Sequence, residues 1–332
     1  MSDPSRATPV GEMTEEEVLR RILARLGPAD VEVGPGDDAA VLALADPRVV
    51  VTTDTLVHGP DFRLAWSSGL DLGAKSAAVN LADIAAMGAR PVALFVALAM
   101  PEDTTIGFVD DLATGLREAC DELAPGCRVA GGDLTVSTTL TIAVTAVGEL
   151  EPGRRPVLRS GARAGDAVAI AGEVGLAAAG LQILFSRFRD GAGEPVPVAV
   201  DTLTAIERGA VAGQLRPRPP IAAGPVAAAA GATAMMDVSD GLVRDARRMA
   251  RASGVTIDLH RSTLGEDSER ALHGGEDHAL LATFPSDAPL PAGFRVIGTV
   301  GEAGPEPLTV DGRGEGAVGG WDPYRDWDGG GG

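Results

Sequence analysis

The residues best suited to chemistry in this chain are carboxylates placed at turns. Val33-Gly-Pro-Gly-Asp-Asp-Ala-Ala-Val41 and Val51-Thr-Thr-Asp-Thr55 set Asp37, Asp38 and Asp54 close to the hydroxyls of Thr52, Thr53 and Thr55. Carboxylates crowded at strand ends repel one another unless a cation stands between them. Hard oxygen donors of this kind suit Mg²⁺, which usually binds a few carboxylates together with substrate phosphates. Asp83, Asp133, Asp237, Asp240 and Glu276 repeat the theme, each beside a glycine or a helix start. Glycines ahead of an aspartate, as in Gly131-Gly132-Asp133, let backbone approach a phosphate while the carboxylate takes the metal; a plain tight turn reads the same way. Asp237-Val-Ser-Asp-Gly241 opens a helix whose free N–H groups welcome an anion, the alternative being that Ser239 or Asp240 caps it. The chemistry implied is a nucleotide held through magnesium.

Two familiar phosphate motifs are excluded. Gly34-Pro-Gly36-x-x-Ala39 matches a dinucleotide fingerprint only loosely, because a β-like Ala-Val-Leu-Ala-Leu follows instead of a helix. Gly69-Leu-Asp-Leu-Gly-Ala-Lys-Ser76 fails as a P-loop: Gly73 is followed by Ala74 rather than lysine, inside a helix rather than before one.

The elements that must position these residues follow from periodicity and punctuation. Thr14-Glu-Glu-Glu17 is a capping box opening a helix to Leu26, with Gly27-Pro28 as its stop. Strands are predicted at 39–44 and 49–53, then a helix at 71–87 that is apolar except for Ser76, Asn80 and Asp83 on one stripe. A polar stripe on so apolar a helix points to a site rather than to solvent. A strand at 92–99, a helix at 103–123 and a strand at 140–147 come next. The Pro-, Gly- and Arg-rich stretch 151–156 marks a domain boundary. Beyond it the pattern predicts a strand at 167–171, helices at 176–188 and 202–212, and a strand at 232–236. A helix with Leu242, Ala246, Met249 and Ala250 buried and a strand at 278–284 complete the order. Residues 1–12 and 329–332 are expected to be disordered, with domains over 13–152 and 153–328. His260, His273 and His278 lack metal-site spacing and read as surface or satisfied core.

Composition limits the partners. The 332 residues are enough for two domains, and 45% hydrophobic content supports a sizeable core. A net charge of −19 argues against a nucleic-acid surface. No apolar run reaches bilayer-spanning length and no secretory signal is visible, so no membrane partner and a cytoplasmic location are expected. Cys120 and Cys127 fit a reducing compartment. The 28 basic residues include a single lysine, Lys75, where a compact ammonium does something a guanidinium would do badly, or which is a helix residue kept by chance. Two of the three tryptophans and the one tyrosine cluster in Trp321-Asp-Pro-Tyr324-Arg-Asp-Trp327, as a stacking surface for a flat ligand or as a clasp on the domain.

Gly36-Asp-Asp38, Thr52-Thr-Asp-Thr55, Asn80-Leu-Ala-Asp-Ile-Ala-Ala-Met-Gly88, Gly131-Gly-Asp133, Asp237-Val-Ser-Asp-Gly-Leu242 and Gly274-Gly-Glu-Asp277 together resemble the thiamine-monophosphate kinase family, in that family's order over residues 12–328. The wider superfamily includes aminoimidazole ribonucleotide synthetase, selenophosphate synthetase and the hydrogenase maturation dehydratase. The resemblance implies a two-domain α/β (α+β) fold with a mixed-sheet N-terminal domain that dimerises and a C-terminal α/β domain. It implies several magnesium ions held by Asp38, Thr52, Thr53, Asp54, Asp83, Asp133, Asp237 and Asp240. ATP would meet Gly132, Asp133, Arg159 and Ser239, with Lys75 helping to neutralise phosphate or else pairing with Asp71 or Asp83. Asp61, Glu276 and Tyr324 would contact thiamine monophosphate, with Asp38, Asp133 and Asp237 central to catalysis. Asp61 stands where some members carry histidine. Leu123-Ala-Pro-Gly-Cys127 lacks the tyrosine the family often has in the nucleotide pocket.

The implied reaction is in-line transfer of the ATP γ-phosphoryl group to a phosphate already anionic, so charge neutralisation matters more than a strong base. Two other classes remain open at this level: another ATP-dependent synthetase of the superfamily, and a non-catalytic acidic metal-binding protein.

Overall fold

A computed structural model describes residues 4–29, 31–35 and 39–315. Asp38 and Tyr324 lie outside the described residues, as do Asp37, Trp321, Trp327 and the 329–332 tail.

Helix α1, Glu15–Leu26, starts as its capping box dictates: Thr14 Oγ1 accepts from Glu17 N, and the Glu17 carboxylate accepts from Thr14 N. Residues 4–12, expected to be disordered, form two 3-10 turns, Pro4–Ala7 and Val10–Glu12. Long-range partners hold them. Thr8 O accepts from Ile106 N, Val10 N donates to Thr104 O, and Arg6 Nη2 donates to Asp111 Oδ2 at 2.6 Å. Nothing local in a short polar segment announces partners so far along the chain. The strand expected at 39–44 reduces to a single bridge between Val33 and Val41.

The first sheet comprises β1 Val49–Val57, β2 Arg90–Met100, β3 Arg128–Val136 and β4 Thr141–Glu149, ordered β1-β4-β2-β3. Its β2–β3 pair is parallel and the others antiparallel. Gly131, Gly132 and Asp133 lie within β3, facing Phe95, Val96 and Ala97, just past a bulge at Ala130. The turn expected there is therefore strand. Gly132 is demanded by packing, because a methyl at its Cα would overlap the Val96 carbonyl oxygen on β2.

The second sheet has seven strands: β5 Asp166–Ala171, β6 Ala234–Val238, β7 Thr256–Leu259, β8 Ala279–Pro285, β9 Phe294–Gly301, β10 Leu308–Val310 and β11 Arg313–Gly314. They are ordered β11-β10-β7-β9-β5-β8-β6, antiparallel except for β10 on β7. Helices α4 Leu176–Arg187, α5 Ala205–Leu215, α6 Ala223–Ala229, α7 Leu242–Ser253 and α8 Ser268–His273 belong to this half. The face of α7 predicted to be buried packs on this sheet, with Leu242, Ala246, Met249 and Ala250 sealed from solvent.

Between the sheets lies α2, Gly69–Ala86, with α3, Ile106–Leu123, packed along it. Ser68 starts α2 in a second capping box with Asp71, earlier than the sequence reading placed it. The two helices approach until their backbones almost touch. A methyl at Gly69 would overlap Phe108 O, one at Gly73 would overlap Leu112 O, and one at Gly115 would overlap Leu70 O. The glycines that mimicked a phosphate loop thus serve helix contact. On its other sides α2 meets β1, β2 and β4 of the first sheet and β6 and β8 of the second. One apolar cluster accordingly runs from Leu81, Ile84 and Ile142 through to Met235, Leu280 and Phe284. Among the described residues no helix is long and apolar enough to cross a membrane.

Candidate active site

The polar stripe of α2 points into the space where the sheets meet. Ser76 and Asn80 are buried. Asn80 Nδ2 donates to Ser76 O at 2.9 Å and its Oδ1 accepts from Asp54 N at 3.1 Å, fixing β1 against the helix. One helical turn on, the Asp83 carboxylate accepts from Thr52 Oγ1 at 2.6 Å. Asp237, at the end of β6, is buried and meets His278 Nδ1 at 3.1 Å.

These carboxylates burden one another. Burial first, then the charges of Asp237 and Asp54, push the Asp83 carboxyl up to about 6. Asp54 is raised as well, by the protein crowded round it and by Asp237 and Glu276, against a smaller opposing effect of His278. Burial disfavours a charged His278 ring, but its hydrogen bond to Asp237 and the nearby negative charges outweigh this and hold it above the ordinary histidine value. Among the described residues no three acidic, histidine or cysteine side chains are already closed to metal-ligating distance. The chemistry of the donor set nevertheless fits magnesium: all are hard oxygens, and three elements crowd more carboxylates together than His278 alone can offset.

Ser239 and Asp240 do not cap α7, which begins after Gly241 with no side-chain cap. The Asp240 carboxylate lies 2.7 Å from Arg248 Nη1, and its N–H donates to buried Asp245. Burial, then Asp237, push the Asp245 carboxyl to about 6. Thr53 Oγ1 donates to Val144 O at 3.0 Å, within the sheet. Asp133 is exposed on β3 and lines, with Gly132, a cavity of about 670 Å³ walled by Leu19, Ile22, Leu23 and Leu116. Arg159 has an exposed side chain, and its carbonyl accepts from Ser253 Oγ at the far end of α7. The structure thus gathers Thr52, Asp54, Asp83 and Asp237, puts Ser239 and Asp240 just beyond them, and sets Asp133 and Arg159 on separate surfaces.

A second cavity, of about 360 Å³, lies between the halves and is lined by Asp61, Trp66, Lys75, Phe185, Ser239 and Glu276, among others. Trp66 and Phe185 meet edge to face with centroids 4.9 Å apart, and Trp66 Nε1 donates to Phe188 O. The Lys75 ammonium lies 2.5 Å from Glu276 Oε2 and 3.4 Å from Gln214 O. It pairs with neither Asp71, which Ser68 and Arg216 occupy, nor Asp83. Burial pushes Glu276 up, but Lys75 overcomes this and keeps it below the usual range. Asp61 is raised, by burial first and then by Glu276, while its Oδ2 accepts from Val57 N at 2.7 Å.

Glu276 and His278 both have left-handed backbones, φ 73° and 53°. Such conformations cost on the order of 1–3 kcal/mol each and persist where the surroundings over-determine them. Here Asp277 between them accepts from Gly175 N at 2.6 Å and Ala177 N at 2.8 Å, while Glu276 N donates to Ser239 O and His278 N to Val238 O.

Sequence reasoning missed Trp66, Phe185, Asp277 and the pairing of His278 with Asp237. A lone tryptophan in a chain with 3% aromatics was the available signal for the first. Phe185 meets Trp66 only where the halves touch, and the Asp277 bonds to Gly175 and Ala177 and the His278–Asp237 pair are long-range contacts within the second half that no local pattern encodes.

The N-terminal domain model of the AIR synthase related proteins matches residues 36–150. The thiamine-monophosphate kinase of Mycobacterium tuberculosis (strain ATCC 25618 / H37Rv) is 41% identical over 324 residues, covering 93% of this chain and 91% of its own. The crystal structure of thiamine-monophosphate kinase from Stenotrophomonas maltophilia K279a superposes with TM-score 0.75 at 30% identity, covering 91% of this chain and 98% of its own. AaThiL complexed with AMPPCP and TMP is similar at TM-score 0.72 and 31% identity, covering 95% and 98%.

Proposed function

We infer that this chain, which belongs to the thiamine-monophosphate kinase family, transfers the γ-phosphoryl group of ATP to thiamine monophosphate and releases thiamine diphosphate. The observation that carries this reading is a juxtaposition. An aromatic-walled pocket with both signs of charge at Asp61, Lys75 and Glu276 sits on the same helix, α2, as the acid cluster at Asp54, Asp83 and Asp237. A flat cationic ring with a phosphate tail suits the first, and a polyphosphate bridged by cations suits the second.

Asp61 and Glu276 orient the acceptor, with Tyr324 a further contact by family resemblance. Thr52, Thr53, Asp54, Asp83, Asp237 and Asp240, together with Asp38 and Asp133, would hold several magnesium ions. Bound there, magnesium supplies neutralisation of two polyanions that must meet in line. The attacking group is already an anionic phosphate oxygen, so no strong base is needed, and His278 Nδ1 is committed to Asp237. By family resemblance ATP would meet Gly132, Asp133, Arg159 and Ser239, of which one chain sets Asp133 and Arg159 on surfaces separate from Ser239. The aliphatic cavity beside Gly132 and Asp133 supports a base packed on Leu19, Ile22 and Leu116 in place of the missing tyrosine.

The protein works as a cytoplasmic homodimer, with its two domains meeting near residue 152. The exposed apolar residues Val49 and Val51 on β1 support a second copy seated on the face of the first sheet away from α2. The test of function is direct: incubate the protein with Mg-ATP and thiamine monophosphate and follow the diphosphate by chromatography, with free thiamine as a parallel acceptor. Magnesium-dependent diphosphate, made from the monophosphate and not from thiamine, is the expected result. Its absence despite ATP binding would return the function to a superfamily synthetase.

A further inference from the structure

Lys75 is the only lysine in a chain with 28 basic residues, and it is nearly sealed, with 5% of its side chain exposed. A buried ammonium requires a partner, and this one reaches from α2 to a carboxylate on the 274–278 segment of the other half. That carboxylate, Glu276, stands on a left-handed backbone position and lines the aromatic pocket. The ammonium also meets Gln214 O on α5, which fixes its direction. A planar guanidinium is wider and spreads its donors in a fork, so it could not occupy this slot without displacing Glu276.

We propose that Lys75 is a positioning residue for the acceptor: it acts through Glu276, holding that carboxylate charged and aimed into the Trp66–Phe185 pocket, and takes no part in binding the donor nucleotide. This rests on reading that pocket as the thiamine monophosphate site. A residue that acts only through another should matter only while the other is present.

The test is a double-mutant cycle in steady-state kinetics on the full chain with Mg-ATP, using wild type, Lys75→Met, Glu276→Gln and the double variant. Each acceptor and donor concentration is varied in turn with the other saturating. Lys75→Met should raise KM for thiamine monophosphate at least tenfold and leave KM for ATP within twofold. In the Glu276→Gln background the same substitution should change acceptor KM less than twofold. A rise in KM for ATP, or an equal effect of Lys75→Met in both backgrounds, overturns the proposal. If Lys75→Met does not fold, Lys75→Arg keeps the charge and supplies the same comparison, with at least a threefold rise in acceptor KM expected; wild-type acceptor KM in Lys75→Arg would equally overturn it. Failure of the wild type to make thiamine diphosphate would instead remove the reading of the pocket.

Discussion

Asp83 carries a charge that the folded chain disfavours, which separates its contribution to activity from its contribution to stability. Asp83→Asn removes a carboxylate that burial and its neighbours repel, while an amide oxygen can still accept from Thr52. Turnover should fall by about a hundredfold or more, the scale of losing one electrostatic group from a charge-stabilising site. The melting temperature at pH 7 should hold or rise; a variant that melts well below wild type would contradict this. The same groups set a pH dependence. Carboxyls held near 6, as Asp83 and Asp245 are, keep protons that the unfolded chain has already released. The metal-free protein should therefore lose stability as pH rises from about 4 to 6, because the folded state binds more protons there. Millimolar magnesium should flatten that decline, and thermal melts at stepped pH with and without the ion would read it. The Ser76–Asn80–Asp83 stripe was legible in sequence, since helical spacing alone puts it on one face. The partner of Lys75 was not, because Glu276 reaches it only through the meeting of the two halves.

The contact between α2 and α3 is where a single methyl should do most damage. At Gly73 the added atom would meet the Leu112 carbonyl oxygen, which no rotamer change can move aside. Gly73→Ala should cost on the order of 1–3 kcal/mol, as overpacking does, read as a lower urea midpoint with unchanged slope. Catalysis should fall too, since Lys75, Asn80 and Asp83 shift with the helix. An unchanged midpoint would mean that the helices stand further apart. At this scale the sequence was a good guide to capping boxes and amphipathic faces, as at Thr14 and along α7. It was a poor guide to Gly131-Gly132-Asp133. Glycines next to an acid read as a turn, whereas a parallel neighbour with its carbonyl close by makes them strand residues. Residues 4–12 misled for the converse reason, since their order comes from α3 and the turn before it.

At the scale of the whole molecule, the first sheet has helices on one face and exposed valines on the other. Light scattering after size exclusion should give a dimer, and Val51→Arg, at a position 59% exposed in the isolated chain, should yield monomers with the fold intact. A dimer unaffected by that change would move the interface elsewhere. With −19 on each chain, association should tighten as salt rises. The order of the motifs made the two-sheet architecture legible, but α2 as the element shared by both sheets emerges only from the fold. Its rigidity makes it a length standard. Lys75 and Asp83 belong to one helix, so about 12 Å of helical rise separates the two backbone positions from which the pocket and the acid cluster are reached. On the proposed reading an acceptor would be measured as well as recognised: a ring seated beside Glu276 would have to extend a phosphate tail towards the acid cluster, and a bare hydroxyethyl arm, however well its ring fits, would stop short.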